Sequence, residues 1–452
     1  MSAKKTIKPR AISGFPEWLP EIRIVEQQWM NEIRRIFESY GFCSIDPPSV
    51  EDIDVLTSKG GDTDKEIYAL RRLQAEDGGD EARVALHYDL TVPLARYVAQ
   101  HFNDLAFPFK RYQIQRAWRG ERPQEGRFRE FYQCDIDVVD VDNVALDFDA
   151  ELPAVILEVL ASLGLDRVSM HINNRKILQG FYEGLGIENV VETIRVVDKM
   201  DKIGPEGVAK MLVDDAGIDA ATAQRCVELA SIRSTDTSFA ERVRALDVKS
   251  ELLDEGLDEL TFVLEHLASV TQEQAVADLA IARGFDYYTG TVYEGKLIDY
   301  PDYPSILSGG RYDDLVGSFL RRRLPGVGLS IGLTRIFAKL VKEGQIQPGP
   351  KCPTDVLVVQ LPGVDRAVAR DTGRHLRRRG FNVEVYHEAK KVGAQMKYAD
   401  RKGIPYVCFP PGEPGALPEF KDMQSGEQTS VSLDAWSPSG SGGTFKARTV
   451  SA

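Results

Sequence analysis

The chain has 452 residues, of which 43% are hydrophobic and 28% are charged, a composition typical of a globular protein with two or three domains. No apolar run approaches the ~20 residues that a membrane span needs. The basic N-terminus, MSAKKTIKPR, lacks the apolar stretch of a secretion signal. We therefore expect a protein that is neither membrane-spanning nor secreted.

The net charge of −13 is unevenly distributed. Residues 351–452 carry a net charge of +4 and the remaining residues carry −17. A mildly basic C-terminal part on an acidic body suits a module that contacts a polyanion locally. A random fluctuation of surface charge explains the same numbers, so charge alone does not identify a partner.

The five cysteines are scattered along the chain, odd in number and never in C-x-x-C spacing. This usage predicts a reducing compartment, which we take to be the cytoplasm. It also predicts that the protein has no disulfide framework and no protein-held metal site.

The first predicted elements are an amphipathic helix over 21–40 and an extended segment around Pro47 and Pro48. The stretch LHYDLTVPLARY then places Asp89 and Thr91 in a short polar break. Further on, an apolar stripe predicts a second helix near 143–163. Residues 175–270 have a mostly helical and charged pattern, which indicates a helical subdomain inserted between β-rich parts.

Residues 109–140 form the most informative segment, because they predict two strands joined by a charged loop. In the second strand, alternate residues from Phe128 to Val138 are apolar, with Glu130 as the exception. The opposite face carries Arg127, Arg129, Phe131, Gln133, Asp135 and Asp137. Arginine forks suit phosphate oxygens and an aromatic ring suits a purine base. A solvated hairpin with surface ion pairs is the alternative for this segment taken alone.

Strand signals return after the helical region. ADLAIARGFDYYTGTVYEGKLI predicts a hairpin with its turn at Thr289 and Gly290, and SGGRYDD predicts a glycine-rich turn. The apolar run GVGLSIGL then predicts a strand that leads into a helix over 334–342, whose first turn carries Arg335.

The C-terminal part alternates strand and helix. Strand-like runs DVLVVQL, FNVEVY and IPYVCF are separated by predicted helices near 364–379 and 391–402, which indicates a small α/β domain with parallel strands. EGQIQPGP is a plausible linker before this domain, and SPSGSGGTF marks a tail that we expect to be disordered.

Five of these stretches, in this order, resemble the sequence motifs of one enzyme family. YGFCSIDPPSVE, RAWRGERPQEGRFREFYQ and GLSIGLTRI are similar to motifs 1, 2 and 3 of class II aminoacyl-tRNA synthetases. RGFDYYTG and SGGRYDD are similar to the two peptides peculiar to histidyl-tRNA synthetases. The resemblance extends from about residue 14 to 436, and the five motifs together are far more specific than any one of them.

The resemblance implies an α+β protein, with a class II antiparallel sheet flanked by helices, a helical insertion and a C-terminal α/β anticodon-binding domain. The domains that it implies are a catalytic domain over 1–342 with the insertion at about 180–265, a linker over 343–351, the anticodon-binding domain over 352–436 and a disordered tail over 437–452. The likeness to motif 1 further implies a homodimer.

The implied activity is that of a histidine–tRNA ligase, which uses ATP with Mg²⁺ to form histidyl-adenylate and transfers histidine to the 3′ end of tRNA(His). In this reaction the carboxylate of histidine attacks the α-phosphorus of ATP, so catalysis requires positioning and charge neutralisation. The resemblance assigns this role to Arg119 and Arg283, which would contact the α-phosphate and histidine from opposite sides. A guanidinium supplies a permanent cation there.

The other implied roles also follow from matching positions. For ATP, Arg127 and Arg335 would bind the outer phosphates, Phe131 would stack on adenine and Glu121 would receive the adenine amino group. The implied histidine site comprises Asp89, Leu90, Thr91, Gln133, Asp137, Tyr287 and Tyr288. Of these, Asp89, Thr91 and Gln133 would bind the α-ammonium. Asp137 and Tyr288 would bracket the imidazole nitrogens, and Tyr287 would form a wall of the pocket.

Arg122 and Gln124 match positions that contact the acceptor end of the tRNA. Candidate anticodon-domain contacts are Lys390, Lys391, Lys397, Arg401 and Lys402, although a solvated basic face explains each of them equally well. The chain departs from the family in having His87 where arginine is usual. It also has Asp89 and Asp137 where many bacterial members have glutamate.

Two alternatives belong to other functional classes. A catalytically inactive, synthetase-like regulatory subunit of ATP phosphoribosyltransferase would resemble the catalytic core, but that family lacks the anticodon-binding domain. A pure RNA-binding module would have no use for a buried histidine pocket. Histidine-dependent exchange of pyrophosphate into ATP separates the ligase from both alternatives.

Overall fold

The computed structural model describes residues 7–58, 65–73, 82–270, 274–282, 288–314, 316–317, 319–413 and 415–438. Contacts divide the chain into two compact units, one of Met1–Glu17 and Met30–Glu343 and the other of Trp18–Trp29 and Gly344–Ala452. Within the described ranges, no helix is both long and apolar enough to cross a membrane. Two residues with predicted roles, Arg283 and Tyr287, lie outside the described residues, as does most of the predicted tail.

The elements of the first half of the chain alternate short strands with helices. They are α1 (Pro20–Ser39), β1 (Cys43–Ser44), β2 (Val50–Asp52), α2 (Ile53–Leu56), β3 (Ala69–Leu70), β4 (Val84–Leu86), α3 (Thr91–Gln100), β5 (Phe109–Trp118), β6 (Glu130–Val139), α4 (Asp147–Ser162) and β7 (Val168–Asn174). The predicted helices over 21–40 and near 143–163 are confirmed as α1 and α4.

A predominantly helical region follows, and then strands return. The elements are α5 (Arg175–Gly184), α6 (Val190–Val197), α7 (Met200–Asp214), α8 (Ala220–Ala230), β8 (Arg233–Ser234), α9 (Ser238–Arg244), α10 (Glu251–Ala268), β9 (Ala275–Asp278), β10 (Tyr288–Leu297), β11 (Leu307–Tyr312), β12 (Gly326–Ile331) and α11 (Leu333–Lys342). The helical pattern predicted for 175–270 is confirmed, apart from the two-residue strand β8.

The first unit is built on a large mixed sheet. Among the described residues its strand order is β1-β5-β6-β12-β11-β10-β7-β9-β8. The six consecutive strands from β5 to β7 in this order are all antiparallel, whereas β1 and β9 join their neighbours in parallel. The expected α+β class with an antiparallel sheet flanked by helices is therefore confirmed.

Helix α4 packs on one face of this sheet because its apolar residues recur at helical spacing. Leu152, Val155, Ile156 and Val159 of the helix are all fully buried. A buried ion pair also joins α4 to the sheet, because both guanidinium nitrogens Nε and Nη2 of Arg311 contact the Asp149 carboxylate. The opposite face of the sheet is therefore the one available for a ligand.

The prediction of a hairpin over 277–298 with its turn at Thr289 and Gly290 is wrong. Strand β7 lies between β9 and β10 in the sheet and pairs with both. Thr289 and Gly290 are inside β10 rather than in a turn. The glycine is needed because a Cβ at Gly290 would lie 2.8 Å from the side chain of Arg311 on the neighbouring strand.

The glycine-rich turn predicted at SGGRYDD is also wrong, because its first five residues, through Tyr312, belong to β11 in the middle of the sheet. Neither Gly309 nor Gly310 has a positive φ. A Cβ at Gly310 would lie 2.8 Å from the carbonyl oxygen of Thr291, and one at Gly309 would overlap the carbonyl oxygen of Gly328. Close backbone packing, and not a turn, explains both glycines.

The second unit contains β13 (Val356–Val358), α12 (Arg366–Arg378), β14 (Val383–Val385), α13 (Val392–Lys402), β15 (Tyr406–Phe409), β16 (Glu419–Asp422) and β17 (Gln428–Ser430). The three strands and two helices that the alternating pattern predicts are confirmed, and β14, β13 and β15 are parallel. The prediction missed β16 and β17, which extend the sheet in antiparallel fashion. These two strands are short and polar, so they lack an apolar run.

Candidate active site

Strand β6 presents two chemically different faces, as its alternation predicts. Cys134, Ile136 and Val138 are fully buried on the side of the helices. Phe131 and Gln133 lie on the other side and line a cleft of about 510 Å³. Farther along the same face, Asp135 and Asp137 line a smaller pocket of about 250 Å³. One strand therefore supplies an aromatic ring, an amide and two carboxylates to adjoining cavities.

Glu130, the exception in the apolar pattern, is explained by its partners on β5. Its Oε2 accepts a hydrogen bond of 2.9 Å from Trp118 Nε1, and its Oε1 lies 3.2 Å from Arg116 Nε. Arg116 also lies over the ring of Tyr132. The alternative of a hairpin with surface ion pairs thus describes this side of the hairpin, but not the side that lines the cleft.

One end of the cleft is strongly positive. Arg335 is fixed by its Nε, which donates to the Gly126 carbonyl at 2.6 Å, and by its Nη1, which donates to the Ser305 carbonyl. Burial lowers the pKa of Arg335, and the neighbouring charges of Arg119 and Arg127 lower it further. Three guanidiniums close enough to repel one another favour a polyanionic ligand.

Arg119 is positioned between this cluster and the rest of the site. Its Nε donates a 3.0 Å hydrogen bond to the Tyr88 carbonyl, and its guanidinium carbon lies 5.1 Å from the centre of the Phe131 ring. Glu121 is held nearby, because Arg127 Nη1 donates to its Oε2 at 3.0 Å and Arg129 Nε donates to its carbonyl at 3.2 Å. The structure thus brings together the five residues predicted to bind ATP.

The predicted α-ammonium residues lie where α3 begins. Asp89 is buried, and its Oδ1 accepts a 3.0 Å hydrogen bond from Val92 N in the first turn of the helix. Thr91 lines the pocket that also contains Asp135 and Asp137. Leu90, between them in the sequence, is fully buried. The polar break that the sequence predicts is thus held rigidly beside the pocket.

Gln133 is held through its amide nitrogen. Its Nε2 donates a 2.7 Å hydrogen bond to Ser330 Oγ on β12, and its buried Oε1 has no hydrogen-bond partner among the described residues. A buried acceptor without a donor is costly in an empty site and indicates a position where a ligand donates.

Asp137 is fixed by two partners that the sequence analysis did not identify. Arg111 Nη2 lies 2.6 Å from its Oδ2, and Tyr312 donates to its Oδ1 at 3.0 Å. Burial raises the pKa of Asp137 to about 6, and the Arg111 charge opposes that rise. Polar residues at alternate positions of β5 (Arg111 and Gln113) were the signal that could have revealed this partner.

Asp135 also lies in the smaller pocket, although the sequence analysis assigned it no role. It is 3% exposed, and its Oδ1 has no hydrogen-bond partner within the described part of the chain. Burial raises the pKa of Asp135 to about 7, whereas Arg111 and a hydrogen bond with Ser330 act in the opposite direction. Tyr288 lies in the same pocket.

The residues predicted to contact tRNA are outside both cavities. Arg122 and Gln124 are exposed in the loop between β5 and β6. In the second unit, Lys391, Lys397 and Arg401 are exposed. The remaining two candidates are engaged in ion pairs, Lys390 with Glu388 and Lys402 with Glu384, both at 2.7 Å.

Comparisons with known proteins place this geometry in a family. The family described as histidyl-tRNA synthetase matches residues 14–336, and the family described as anticodon binding domain matches residues 355–436. A histidine–tRNA ligase of Thermobifida fusca is 57% identical over 437 residues, covering 96% of this chain and 100% of that protein.

Solved structures agree. The crystal structure of histidyl-tRNA synthetase from Nostoc sp. PCC 7120 superimposes with a TM-score of 0.84 at 37% identity, covering 95% of this chain and 98% of the other. A Bacillus halodurans structure described as an ATP phosphoribosyltransferase regulatory subunit/histidyl-tRNA synthetase has a TM-score of 0.74 and covers 90% of this chain and all of the other. Its 21% identity shows a shared fold alone. On the sequence matches, which span nearly the whole chain, the protein belongs to the histidyl-tRNA synthetase family.

Proposed function

We propose that this protein activates histidine with ATP and transfers the histidyl group to the 3′ end of tRNA(His). The observation that carries the proposal is the opposite polarity of the two ends of one site. A cluster of guanidiniums around Arg335 and Arg119 suits the phosphates of ATP. Buried acceptors on Gln133 and Asp135, at the other end, suit the cationic amino acid.

In the first step, the carboxylate oxygen of histidine forms a bond to the α-phosphorus of ATP, and pyrophosphate leaves with the electrons of the broken P–O bond. Arg119 would neutralise charge on the α-phosphate, and Arg283 would do so from the opposite side. Arg127 and Arg335 would hold the outer phosphates, with Phe131 against adenine and Glu121 at its amino group. Mg²⁺ would enter with ATP as part of the substrate and shield its phosphate charge.

Recognition of histidine would use the acceptors around the smaller pocket. Asp89, Thr91 and Gln133 would bind the α-ammonium. Asp137 and Tyr288 would contact the imidazole nitrogens, and Tyr287 would close the pocket. A site with buried partners for specific N–H groups rejects analogues that lack those groups, because the partners are then left unpaired.

In the second step, the 3′-terminal adenosine of the tRNA attacks the acyl carbon of the adenylate, and AMP leaves. Arg122 and Gln124, exposed in the loop between β5 and β6, are available to the acceptor end. Of the five basic candidates, Lys391, Lys397 and Arg401 are the better ones for anticodon contacts, because Lys390 and Lys402 already have carboxylate partners.

The proposed domain organisation is a catalytic domain over 1–342 with a helical insertion at about 180–265, a linker over 343–351 and an anticodon-binding domain over 352–436. We include in the proposal a homodimer, on the likeness to motif 1, and a cytoplasmic location. The alternative of a regulatory subunit has less support, because residues 355–436 match an anticodon binding domain.

The test is exchange of labelled pyrophosphate into ATP in the presence of each amino acid. We expect exchange with histidine alone, and the purified protein should then charge tRNA(His). Arg119→Gln should reduce exchange by at least about 100-fold, because one charge-stabilising donor of an active site is worth about that much.

Arg116→Gln is the matched control, since Arg116 lies three residues earlier on the same hairpin but contacts Tyr132 and Glu130 instead of the cleft. Its exchange rate should remain within about twofold of the wild-type rate. Exchange that is independent of histidine, or absent from the folded wild-type protein, would exclude the proposed function.

A further inference from the structure

Two buried acceptors on β6 lack a hydrogen-bond donor in the described structure: Oε1 of Gln133 and Oδ1 of Asp135. The two residues occupy alternate positions of the strand and therefore face the same side of the sheet. Asp135 is 3% exposed, so water does not readily compensate its missing donor. A pair of such acceptors side by side points to a ligand group that carries more than one N–H.

Ser330 makes the two acceptors a single unit. It is the direct cross-strand neighbour of Asp135 on β12, and its hydroxyl lowers the pKa of that carboxyl. The same hydroxyl oxygen accepts from Gln133 Nε2 at 2.7 Å. Because this bond uses the amide nitrogen of Gln133, the amide oxygen is directed away from Ser330 and remains available. Gln133, Ser330 and Asp135 together form what we call the acceptor triad.

Asp137, the neighbouring carboxylate, differs in its partners. Both of its oxygens are engaged, one with Arg111 at 2.6 Å and the other with Tyr312 at 3.0 Å. Its charge is therefore compensated within the protein, whereas Asp135 has Arg111 only as a more distant cation. Of the two, Asp135 is the carboxylate that has an open acceptor and no direct ion pair among the described residues.

The charged and titratable groups around Asp135 strengthen this conclusion. They come from β5 (Arg111), β6 (Asp137), the segment before α3 (Asp89), β10 (Tyr288) and β11 (Tyr312). Among the described residues, the buried carboxylates Asp135 and Asp137 thus share the guanidinium of Arg111. Two buried carboxylates beside one described guanidinium favour a cationic ligand group.

We propose that Asp135 is a further substrate-binding residue, whose Oδ1 accepts a hydrogen bond from the α-ammonium of histidine beside the Gln133 amide oxygen. The inference rests on the proposed function and deepens it. The α-ammonium has three N–H donors and a full positive charge, so it satisfies both open acceptors of the triad and supplies the missing counter-charge. The imidazole then remains with Asp137.

The test pairs a change in the protein with a change in the ligand. Histidinol retains the α-ammonium and the imidazole, whereas 3-(imidazol-4-yl)propionate retains the ring and lacks the ammonium. Asp135→Asn keeps the shape and one amide oxygen but removes the charge. We expect the variant to bind histidinol about 10- to 100-fold more weakly than the wild type does, as for a lost charge-assisted hydrogen bond. Binding of imidazolepropionate, measured by calorimetry, should change by less than about twofold.

Asp140→Asn is the matched control, because this aspartate follows β6 directly and its Oδ1 accepts only from Val141 N in the described structure. Both ligands should bind this variant as they bind the wild type. Equal weakening of both ligands in Asp135→Asn would assign Asp135 a merely structural role and overturn the proposal. Unchanged binding of histidinol would overturn it as well.

A second measurement uses only the wild-type protein. It tests the role of Asp135 in binding the α-ammonium even if Asp135→Asn does not fold. Protonation of Asp135 should weaken histidinol binding relative to imidazolepropionate as the pH falls from 8 to 6, since its pKa is raised to about 7. The ammonium of histidinol lowers the pKa of its ring and the carboxylate of imidazolepropionate raises that of its ring, so each affinity is corrected for the ring pKa measured on the free ligand before their ratio is taken. A ratio that stays constant over this range would refute the role of Asp135. Wild-type exchange with histidine is measured first, so failure of the proposed function is recognised separately.

Discussion

The buried carboxylate of Asp135 should make the stability of the empty protein depend on pH. Burial raises its pKa from 3.8 to about 7, against the opposing effect of Arg111. A raised acid pKa means that the folded protein binds the proton more tightly than the unfolded chain does. Stability is therefore lost as the pH rises from about 4 to about 7 and does not fall further above that range. Three pH units at about 1.36 kcal/mol each amount to roughly 4 kcal/mol at pH 8.

Asp135→Asn removes this cost without changing the shape of the side chain. About two of the three pH units lie above pH 5, so the variant should gain roughly 2–3 kcal/mol on the wild type between pH 5 and pH 8. Urea unfolding of both proteins at pH 5 and pH 8, without ligand and at one protein concentration, measures the gain. If the difference in unfolding free energy between the two proteins is the same at both pH values, the carboxylate is not buried as described.

Two further predictions concern packing around the site. Gly328→Ala should raise the KM for histidine at least about tenfold, because the added Cβ would overlap the Asp137 carboxylate. Gly393→Ala is the control, because a Cβ there meets nothing within 4 Å, and it should leave the KM unchanged. An unaltered KM in a folded Gly328→Ala enzyme would contradict the proposed role of Asp137 in binding histidine. Arg311→Met should cost about 3–5 kcal/mol in urea unfolding, because Asp149 is left buried and unpaired. Adding Asp149→Leu should restore most of this loss, and a double variant as unstable as the single one would refute that explanation.

The parts of the site that the sequence predicts are those that local periodicity determines. Alternation along one strand is enough to separate Phe131 and Gln133 from the apolar face behind them, and the structure confirms that separation. The helix that carries Arg335 is likewise predicted from an apolar run that leads into a helical pattern, and it is confirmed as α11. In each case the information lies within about ten residues of the side chain.

The errors arise where a pattern has two physical causes. Glycine marks a turn when φ must be positive, but it also marks a strand whose neighbours approach closely. Gly290, Gly309 and Gly310 are of the second kind, and only the neighbouring strands reveal this. The wrong hairpin has a similar cause, because β7 inserts between β9 and β10 from more than a hundred residues earlier in the sequence than β9.

The roles of two aspartates on β6 cannot be predicted without knowing which residues lie beside them on the neighbouring strands. Asp135 and Asp137 are the same residue type, on the same face, two positions apart. Their cross-strand neighbours differ: Asp137 lies opposite Arg111 on β5, whereas Asp135 lies opposite Gln113 there and Ser330 on β12. A cation lies beside one carboxylate and neutral hydrogen-bonding groups lie beside the other, so the two differ in how far the protein itself compensates their charge. Register between strands that are distant in the sequence thus decides which aspartate pairs with an internal arginine and which keeps an open acceptor.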